Sequence, residues 1–468
     1  MTETSLLTIV LGAGKGTRMK SALPKVLHPI AGLSMLGHVL KLAETAGSNR
    51  TAVVVGPGMD AVAAEARRHV AGAEIFVQAE QLGTAHAVQA ARAAIAAHEG
   101  HVLVLFADTP LFRPDTIAAV RLALDEGAAV AVVGFEAADP AGYGRLLRDR
   151  QGRLVAIREH KDADASERQT TLCNGGVMGF RVGHLLDLLN RITNDNANRE
   201  FYLTDAVGLA SGSEAPGLNN SLPMQVIVCP ESEVLGVNSR DQLAAAEAIW
   251  QFRRRREAML GGATLTAPET VWFSHDTMIG QDVTIEPNVY FGPGVVIEDG
   301  VIIKANTHLQ GIDGKSREGV VVRTGAEVGP FARLRPGTDI GPDVHIGNFV
   351  EVKNATLEAG AKANHLAYIG DGRVGAGANI GAGTIFCNYD GYFKHFTDIG
   401  KGAFVGSNTS LVAPVKIGDG AYVGSGSVIT KDVGADALAI ERAVQEERPG
   451  WAAKFRSAMQ RRKAQRLK

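Results

Sequence analysis

The sequence predicts two folds in one chain: an α/β doubly wound domain, followed by an all-β left-handed parallel β-helix of hexapeptide repeats. Three observations carry that expectation. Up to about residue 230, short apolar runs alternate with alanine-rich stretches of helical period. Past residue 265 the helical period vanishes and a period of six residues takes over. Between them, residues 239–260 read as one uninterrupted helix.

The first half is justified run by run. "LLTIVL", "TAVVVG", "AEIFVQ", "HVLVLFAD", "AAVAVVGFE" and "MQVIVCP" are strand candidates, separated by segments such as "AVAAEARRHVA" and "TAHAVQAARAAIAAH". Strands alternating with helices make a mostly parallel sheet covered on both faces. Ligands of such sheets bind beyond the carboxyl ends of the strands. Two of those ends carry chemistry. The first is "LGAGKGTRM" (11–19), where Gly12, Gly14 and Gly16 let the backbone approach an anion and aim N–H groups at it. Spacing excludes two familiar phosphate loops. A Walker loop needs glycine where this chain has Ile9, and a dinucleotide loop needs glycine where it has Thr17. Lys15, Arg18 and Lys25 add permanent charge, and Arg18 can grip a phosphate bidentately. The second end is Asp108, which closes "VLVLFAD". Its carboxylate can hold Mg2+ between phosphates, or it can cap a helix beginning at "TPLF". The residues alone leave both open.

In the bridging helix, Ser239 with Gln242 predicts a capping box and Gly261-Gly262 a stop. The Arg253–Arg256 run reads as a solvated helix face. The hexads follow as "IGQDVT IEPNVY FGPGVV IEDGVI IKANTH" (279–308), resume at 328–357 and 374–385, and run again over 399–434. Three hexads make one triangular coil. The aliphatic residue that opens each hexad points inward, and the small residue after it is expected to let the chain turn the corner. The breaks, such as "FCNYDGYFKHFTD", are loops thrown out of the prism, where function concentrates. The tail "WAAKFRSAMQRRKAQRLK" (451–468) reads as a mobile or loosely docked basic helix. The expected division is 1–235, a linker helix 236–262, 263–450, and the tail 451–468.

Bulk properties narrow the function classes. A chain of 468 residues holds two or three domains with real cores. A formal charge of −2 gives no global pull toward nucleic acid or membrane. The cysteines Cys173, Cys229 and Cys387 are odd in number and form no C-x-x-C pair, which suggests a reducing compartment. "LLTIVLGA" is short and lacks a positive flank, so it is a strand candidate and not a signal peptide. No apolar run approaches about 20 residues, the length of a membrane span. The cytoplasm is the expected location.

With "LPKVLHPIAG" beside it, "LGAGKGTRM" resembles the nucleotidyltransferases that join sugar phosphates to nucleoside triphosphates. With the hexapeptide half attached, residues 5–450 resemble the bacterial bifunctional N-acetylglucosamine-1-phosphate uridylyltransferase / glucosamine-1-phosphate acetyltransferase family. The resemblance implies a nucleotidyltransferase domain in which Leu11, Gly12, Ala13, Gly14 and Lys25 grip the nucleotide phosphates. Gln78, Gly83 and Thr84 of "VQAEQLGTAHAV" would read the uracil, Thr84 also being placed to cap its own helix. Gly144, Glu159 and Asn174 would contact the sugar nucleotide. Asp108 and Asn238 would hold Mg2+, Asn238 with a second possible role as cap of the bridging helix. The implied reaction is in-line attack of a sugar 1-phosphate on the α-phosphorus of UTP, with Arg18 and Lys25 offsetting the repulsion between two anions. The family usually has alanine where this chain has Gly12, a change that keeps the backbone contact.

The same resemblance gives the prism its own site. Acetyl transfer to an amine needs the neutral amine, and His365 of "NHLAYIGD" is the implied base. Arg335, Lys353, Tyr368 and Asn379 would hold the amino-sugar phosphate. Ala382, Asn388, Tyr389, Ser407, Ser425 and Arg442 would contact acetyl-CoA, Ser425 replacing a frequent alanine. His345 and His395 read as ordinary surface histidines, since a zinc site lacks a third ligand. The implied small molecules are glucosamine 1-phosphate, acetyl-CoA, UTP and N-acetylglucosamine 1-phosphate, and the implied assembly is a homotrimer. Three rivals are weighed. A single-activity sugar-1-phosphate nucleotidyltransferase with a structural β-helix would not need His365, Lys353 and Tyr368. A binding protein of similar fold would be expected to lose Lys25, Asp108 and Asn238. A hexapeptide acyltransferase with another acceptor would not carry the sugar-nucleotide half.

Overall fold

The computed structural model of the chain describes residues 4–212, 221–312 and 318–466. It divides into two compact units, Met1–Glu257 with Phe273–His275, and Ala258–Trp272 with Asp276–Lys468.

The first unit is built on a mixed sheet. Its main path runs Met224–Val228, Val130–Glu136, Leu172–Arg181, His101–Phe106, Leu6–Leu11, Arg50–Val55, Glu74–Val77. Every residue of Leu6–Leu11 is buried, because both faces of the sheet are covered. Full burial of each leucine, isoleucine or valine among them stabilises by about 1.5–3 kcal/mol. All six apolar runs of the sequence are strands. The strand Leu172–Arg181, antiparallel to both of its path neighbours, is not among them. Its sequence "LCNGGVMGFR" offers no continuous apolar run, and its register shifts between Asn174 and Met178. The hairpin Arg145–Arg148 and Leu154–Arg158 was also not read.

The helix Arg240–Leu260 matches the expected bridge and ends at the expected glycines, but its start is held differently from the expectation. Gln242 accepts from the backbone N–H of Asn238 at 2.8 Å, not of Ser239. At the other end Gly262 has φ +102°, its N–H donates to Met259 O at 3.1 Å, and Ala263 N–H donates to Ala258 O at 3.0 Å. That is a Schellman stop. The arginine run is not a plain solvated face. Arg253 donates to Leu111 O at 2.6 Å and to Ser232 O at 3.0 Å, and Arg254 lies 5.4 Å from the centre of the Phe273 ring.

The second unit is a left-handed parallel β-helix whose short strands stack coil on coil. Ile285 pairs with Ile303, Ile303 with Val328, and Val328 with Ile346. Each of these aliphatics is at most 1 % exposed, as expected of residues that fill a prism. The role expected of the small residue after the aliphatic needs correction. A Cβ on Gly381 would lie 2.6 Å from the backbone of Gly406 and Ser407, and one on Gly406 would lie 2.4 Å from Ser425 N. These glycines are small because the next coil rests on them. The left-handed corner comes two residues later, at Gly383 with φ +75° or Asp282 with φ +56°. The tail forms the exposed helix Trp451–Arg466. No helix among the described residues is long and apolar enough to cross a membrane.

Candidate active sites

In the first unit the carboxyl ends of neighbouring parallel strands open onto a cleft of about 330 Å3. Leu11, Gly12, Ala13, Gly14, Lys25, Gln78, Gly83, Thr84 and Asp108 all line it. So do Gln81 and Glu200, which the sequence reading missed. Gln81 donates to Ala13 O and so pins the glycine loop.

The loop's glycines do different jobs. Gly12 N–H donates to Val54 O at 2.8 Å, so it extends the sheet and is not available to an anion. A Cβ there would find its nearest neighbour at 3.5 Å, an ordinary contact, so alanine fits. Among the described residues, no chain acceptor takes the N–H groups of Gly14, Lys15 and Gly16. Gly16 has φ +59°, and a Cβ on it would come within 2.5 Å of Lys25 Cβ. Glycine is therefore what lets Lys25 pass beneath the loop. Lys15 and Arg18 are exposed and do not line the cleft.

Lys25 is only 9 % exposed, and its ammonium joins the Asp108 carboxylate to Asn238 Oδ1, the latter at 3.0 Å. Two hard oxygen ligands therefore converge on one cation. Asp108 does not cap a helix, since the next one is Pro114–Asp125 with Arg113 at its N-cap. Its carbonyl instead accepts from Val237 N–H at 2.9 Å, which fixes the strand end against the segment carrying Asn238. Because Gln242 holds the Asn238 backbone, the Asn238 side-chain oxygen is free to turn to Lys25.

Across the cleft, Gln78 Nε2 donates to Gly83 O at 3.0 Å. Gly83 has φ +117°, and a Cβ there would meet Phe201 O at 2.5 Å. Thr84 Oγ1 accepts from Leu203 N–H at 2.9 Å, so it fastens the 201–205 segment and does not cap its own helix. Gly144, Glu159 and Asn174 do not line this cleft. They form a group of their own, with Asn174 N–H donating to Gly144 O at 2.8 Å. Thr204, another residue the sequence did not reveal, donates to Glu159 Oε1 at 3.1 Å. Burial holds the Glu159 carboxyl above the usual carboxylate range.

In the second unit the site follows one corner of the prism. Asn348 pairs in register with His365. Above them Gly383 N–H donates to His365 O, Asn408 N–H to Ala382 O, and Gly426 N–H to Ser407 O. Arg442 donates to Ser425 O at 2.7 Å. His365, Ala382, Ser407 and Ser425 thus occupy the same corner in successive coils. His365 Nδ1 lies 3.1 Å from Asn348 Oδ1. An amide oxygen only accepts, so Nδ1 carries the hydrogen and the Nε2 lone pair is left for a substrate. Asn348 had no sequence signal beyond its place one coil before His365.

Arg335 and Lys353 lie on the face after that corner, Arg335 N–H donating to Val352 O at 2.9 Å and Lys353 pairing with Gly370. Arg335 donates to Glu351 at 2.9 Å, while its buried Nε finds no partner among the described residues. Tyr368 begins the neighbouring strand, and Asn388 Nδ2 lies 3.5 Å from its hydroxyl. Asn388 is 4 % exposed and its amide also meets Asp371, so its side chain is already engaged. Tyr389 is exposed, with Lys394 Nζ 4.5 Å from its ring centre. Asn379 is not on the corner. It sits on the preceding face, in register with Lys362 and Phe404. His395 pairs with Asp390 at 2.7 Å and braces the loop, and the hydrogen bond holds the Asp390 carboxyl well below its usual range. No group of three metal-ligating side chains occurs among the described residues.

Comparison with known proteins agrees with both halves. Residues 8–171 match the MobA-like NTP transferase domain, and residues 276–311 and 396–431 match the bacterial transferase hexapeptide (six repeats). The bifunctional protein GlmU of Azorhizobium caulinodans is 58 % identical over 98 % of this chain and 99 % of its own length. Those of Xanthobacter autotrophicus and Parvibaculum lavamentivorans are 56 % and 57 % identical, over 98 % and 97 % of this chain and 99 % and 97 % of their own.

Proposed function

The chain belongs to the GlmU family of bifunctional proteins, and from that premise we propose how its residues divide the work. It is an enzyme that makes UDP-N-acetylglucosamine. It transfers acetyl from acetyl-CoA to glucosamine 1-phosphate, then uridylyl from UTP to N-acetylglucosamine 1-phosphate, releasing pyrophosphate. UTP and acetyl-CoA are its co-substrates.

In our reading the cleft of the first unit takes UTP. The free N–H groups of Gly14, Lys15 and Gly16 receive its phosphates, Arg18 and Lys25 offset their charge, and Gln78, Gly83 and Thr84 face the base. The acceptor is already an anion, so no general base is needed. Gly144, Glu159 and Asn174 orient its sugar. Asp108 and Asn238 would hold Mg2+; the fit rests on one carboxylate and one amide oxygen that already converge on a cation. When bound, the metal supplies positive charge to the phosphates. The single observation that carries this half is that convergence of Lys25, Asp108 and Asn238.

On the prism, His365 Nε2 removes a proton from the amine as it attacks the acetyl carbonyl, and Asn348 keeps the ring in the right tautomer. Arg335, Lys353 and Tyr368 hold the sugar phosphate, whereas Asn379, on the preceding face, does not join them within one chain. Ala382, Asn388, Tyr389, Ser407, Ser425 and Arg442 guide the coenzyme along the corner. We further propose a homotrimer working in the cytoplasm. Phe331, Phe349 and Leu366, each at least half exposed beside the Asn348–His365 corner, make an apolar ladder that a second copy would cover.

The test follows free thiol and pyrophosphate together in one reaction containing Mg2+, glucosamine 1-phosphate, acetyl-CoA and UTP. Wild type releases both. His365→Ala releases neither until N-acetylglucosamine 1-phosphate is added, and then releases pyrophosphate alone. Thiol release by His365→Ala at the wild-type rate would remove His365 from the reaction.

A further inference from the structure

The first unit holds a second hollow that the two reactions do not use. It has a volume of about 450 Å3, more than the nucleotide cleft. Its walls are the helix Met35–Thr45, the turn 110–115, and the helix Arg240–Leu260. Four cationic side chains face it, Lys41, Arg113, Arg253 and Arg254, against two carboxylates, Asp115 and Glu257.

The cations are arranged rather than scattered. The Arg253 guanidinium is fixed by three neutral acceptors, Leu111 O at 2.6 Å, Ser232 O at 3.0 Å and Ser232 Oγ at 3.1 Å. Arg254 is steadied over the Phe273 ring. Burial holds both guanidinium groups below their usual pKa, an effect that Glu257, and for Arg253 also Glu233, partly offsets. Arg113 reaches Asp115 only at 3.8 Å, and Lys41 is exposed at the rim. His38 adds no charge, because burial pushes it down to about 4. Beside it Trp250 offers an aromatic surface, with the two ring centres 6.2 Å apart.

We infer that this hollow is an anion site for an oligophosphate, carried by an inorganic chain or by a nucleotide. Preoriented guanidinium groups match phosphate oxygens in pairs, the lysine at the rim adds a mobile charge, and a hollow of this size takes more than a single phosphate. The ligand would bridge two segments that lead away from the uridylyl cleft. Pro110 follows closely on Asp108, and Arg253 lies on the helix that starts after Asn238. Leu111 and Val237 pack in one apolar cluster, and Val237 N–H holds Asp108 O. The inference does not depend on the assignment of the uridylyl residues.

Trp250 is one of three tryptophans, so a Trp272→Phe/Trp451→Phe chain reports from this hollow alone. Inorganic tripolyphosphate without Mg2+ should change its emission saturably, in the range of about 1 mM or tighter. Lys41→Gln with Arg254→Gln should weaken that response about tenfold or more. Lys41→Gln alone, at an exposed position, should weaken it less and guards against misfolding of the pair. The response should survive Lys25→Ala, which disables the uridylyl cleft. A parallel titration with UTP shows whether the nucleotide or the bare phosphates bind more tightly. No emission change with either ligand would overturn the inference. So would an unaltered midpoint in Lys41→Gln/Arg254→Gln, or loss of the response in Lys25→Ala.

Discussion

The two units build their sites by opposite means. In the prism, His365, Ala382, Ser407 and Ser425 share a corner because the chain returns to that corner once per coil. In the α/β unit, Lys25, Asp108 and Asn238 meet although 213 residues separate the first from the last. A repeated fold turns spacing into geometry. A doubly wound sheet turns it into geometry only through crossovers, strand order and a helix start. The prism's site lies open on a surface, whereas the other gathers a buried cation and a carboxylate in a cleft. Their failures should therefore differ in kind.

The largest expected difference comes from His365→Ala. It should lower acetyl transfer about 10²- to 10⁴-fold, as loss of a general base does, and leave uridylyl transfer from supplied N-acetylglucosamine 1-phosphate unchanged. Separate initial rates of thiol and pyrophosphate release decide this. The converse variant, Lys25→Ala, should cut uridylyl transfer about 10²- to 10³-fold and spare the acetyl step. It also leaves the part-buried Asp108 carboxylate without its cation, so the α/β unit alone should melt earlier. A shift of both units' transitions would show that the two sites are not independent.

Asn348→Ala tests whether the prism needs positioning at all. Loss of the Nδ1 partner frees the imidazole, and kcat of acetyl transfer should fall about tenfold with KM little changed. Asn348→Asp should restore much of that rate and move the acidic limb of the kcat profile upward, since a carboxylate stabilises the protonated ring. A merely structural Asn348 would move neither.

Two glycine substitutions separate coil packing from sheet packing. Gly406→Ala forces a Cβ to 2.4 Å from Ser425 N and should cost about 1–3 kcal/mol, read as a lowered unfolding midpoint. Gly12→Ala meets nothing closer than 3.5 Å and should change stability by less than about 0.5 kcal/mol.

The smallest effect expected is at Glu159. Burial raises its carboxyl pKa in the folded chain. The folded state therefore holds that proton more tightly than the unfolded state does. Stability falls as pH rises from the ordinary carboxylate value through the raised one. Glu159→Gln should melt slightly above wild type at neutral pH and equal it in acid, while raising the KM for the sugar phosphate. An equal Tm difference at every pH would mean that the charge of Glu159 is irrelevant.

How much was legible follows the same contrast. The hexad phase placed the buried aliphatics and the coils without any structure, because each coil repeats the last. The reason given for the small residue was wrong, since one sequence does not show that a neighbouring backbone rests on Gly381. In the α/β unit the apolar runs announced six strands, but Leu172–Arg181 was hidden by its glycines. Of the nucleotide-site residues, those flanking strand ends were visible, whereas Gln81, Glu200 and Thr204 carry no pattern: Gln81 reaches Ala13 from the turn before Gly83, and Glu200 and Thr204 arrive with the 200–205 segment. Gly12 looked like a phosphate contact until Val54 claimed its N–H.

By itself, then, the sequence determined the two-fold architecture, the family, the chemistry on offer and His365 as the candidate base. These are local properties, set by period, residue type and spacing. Only the tertiary structure decided that Lys25 joins Asp108 to Asn238, that Thr84 serves the 201–205 segment, and that Arg253 is bound to carbonyls while facing a hollow. Each of those depends on which distant segments share a surface, and the energy that brings them together comes from burial spread over the whole core rather than from the residues that meet.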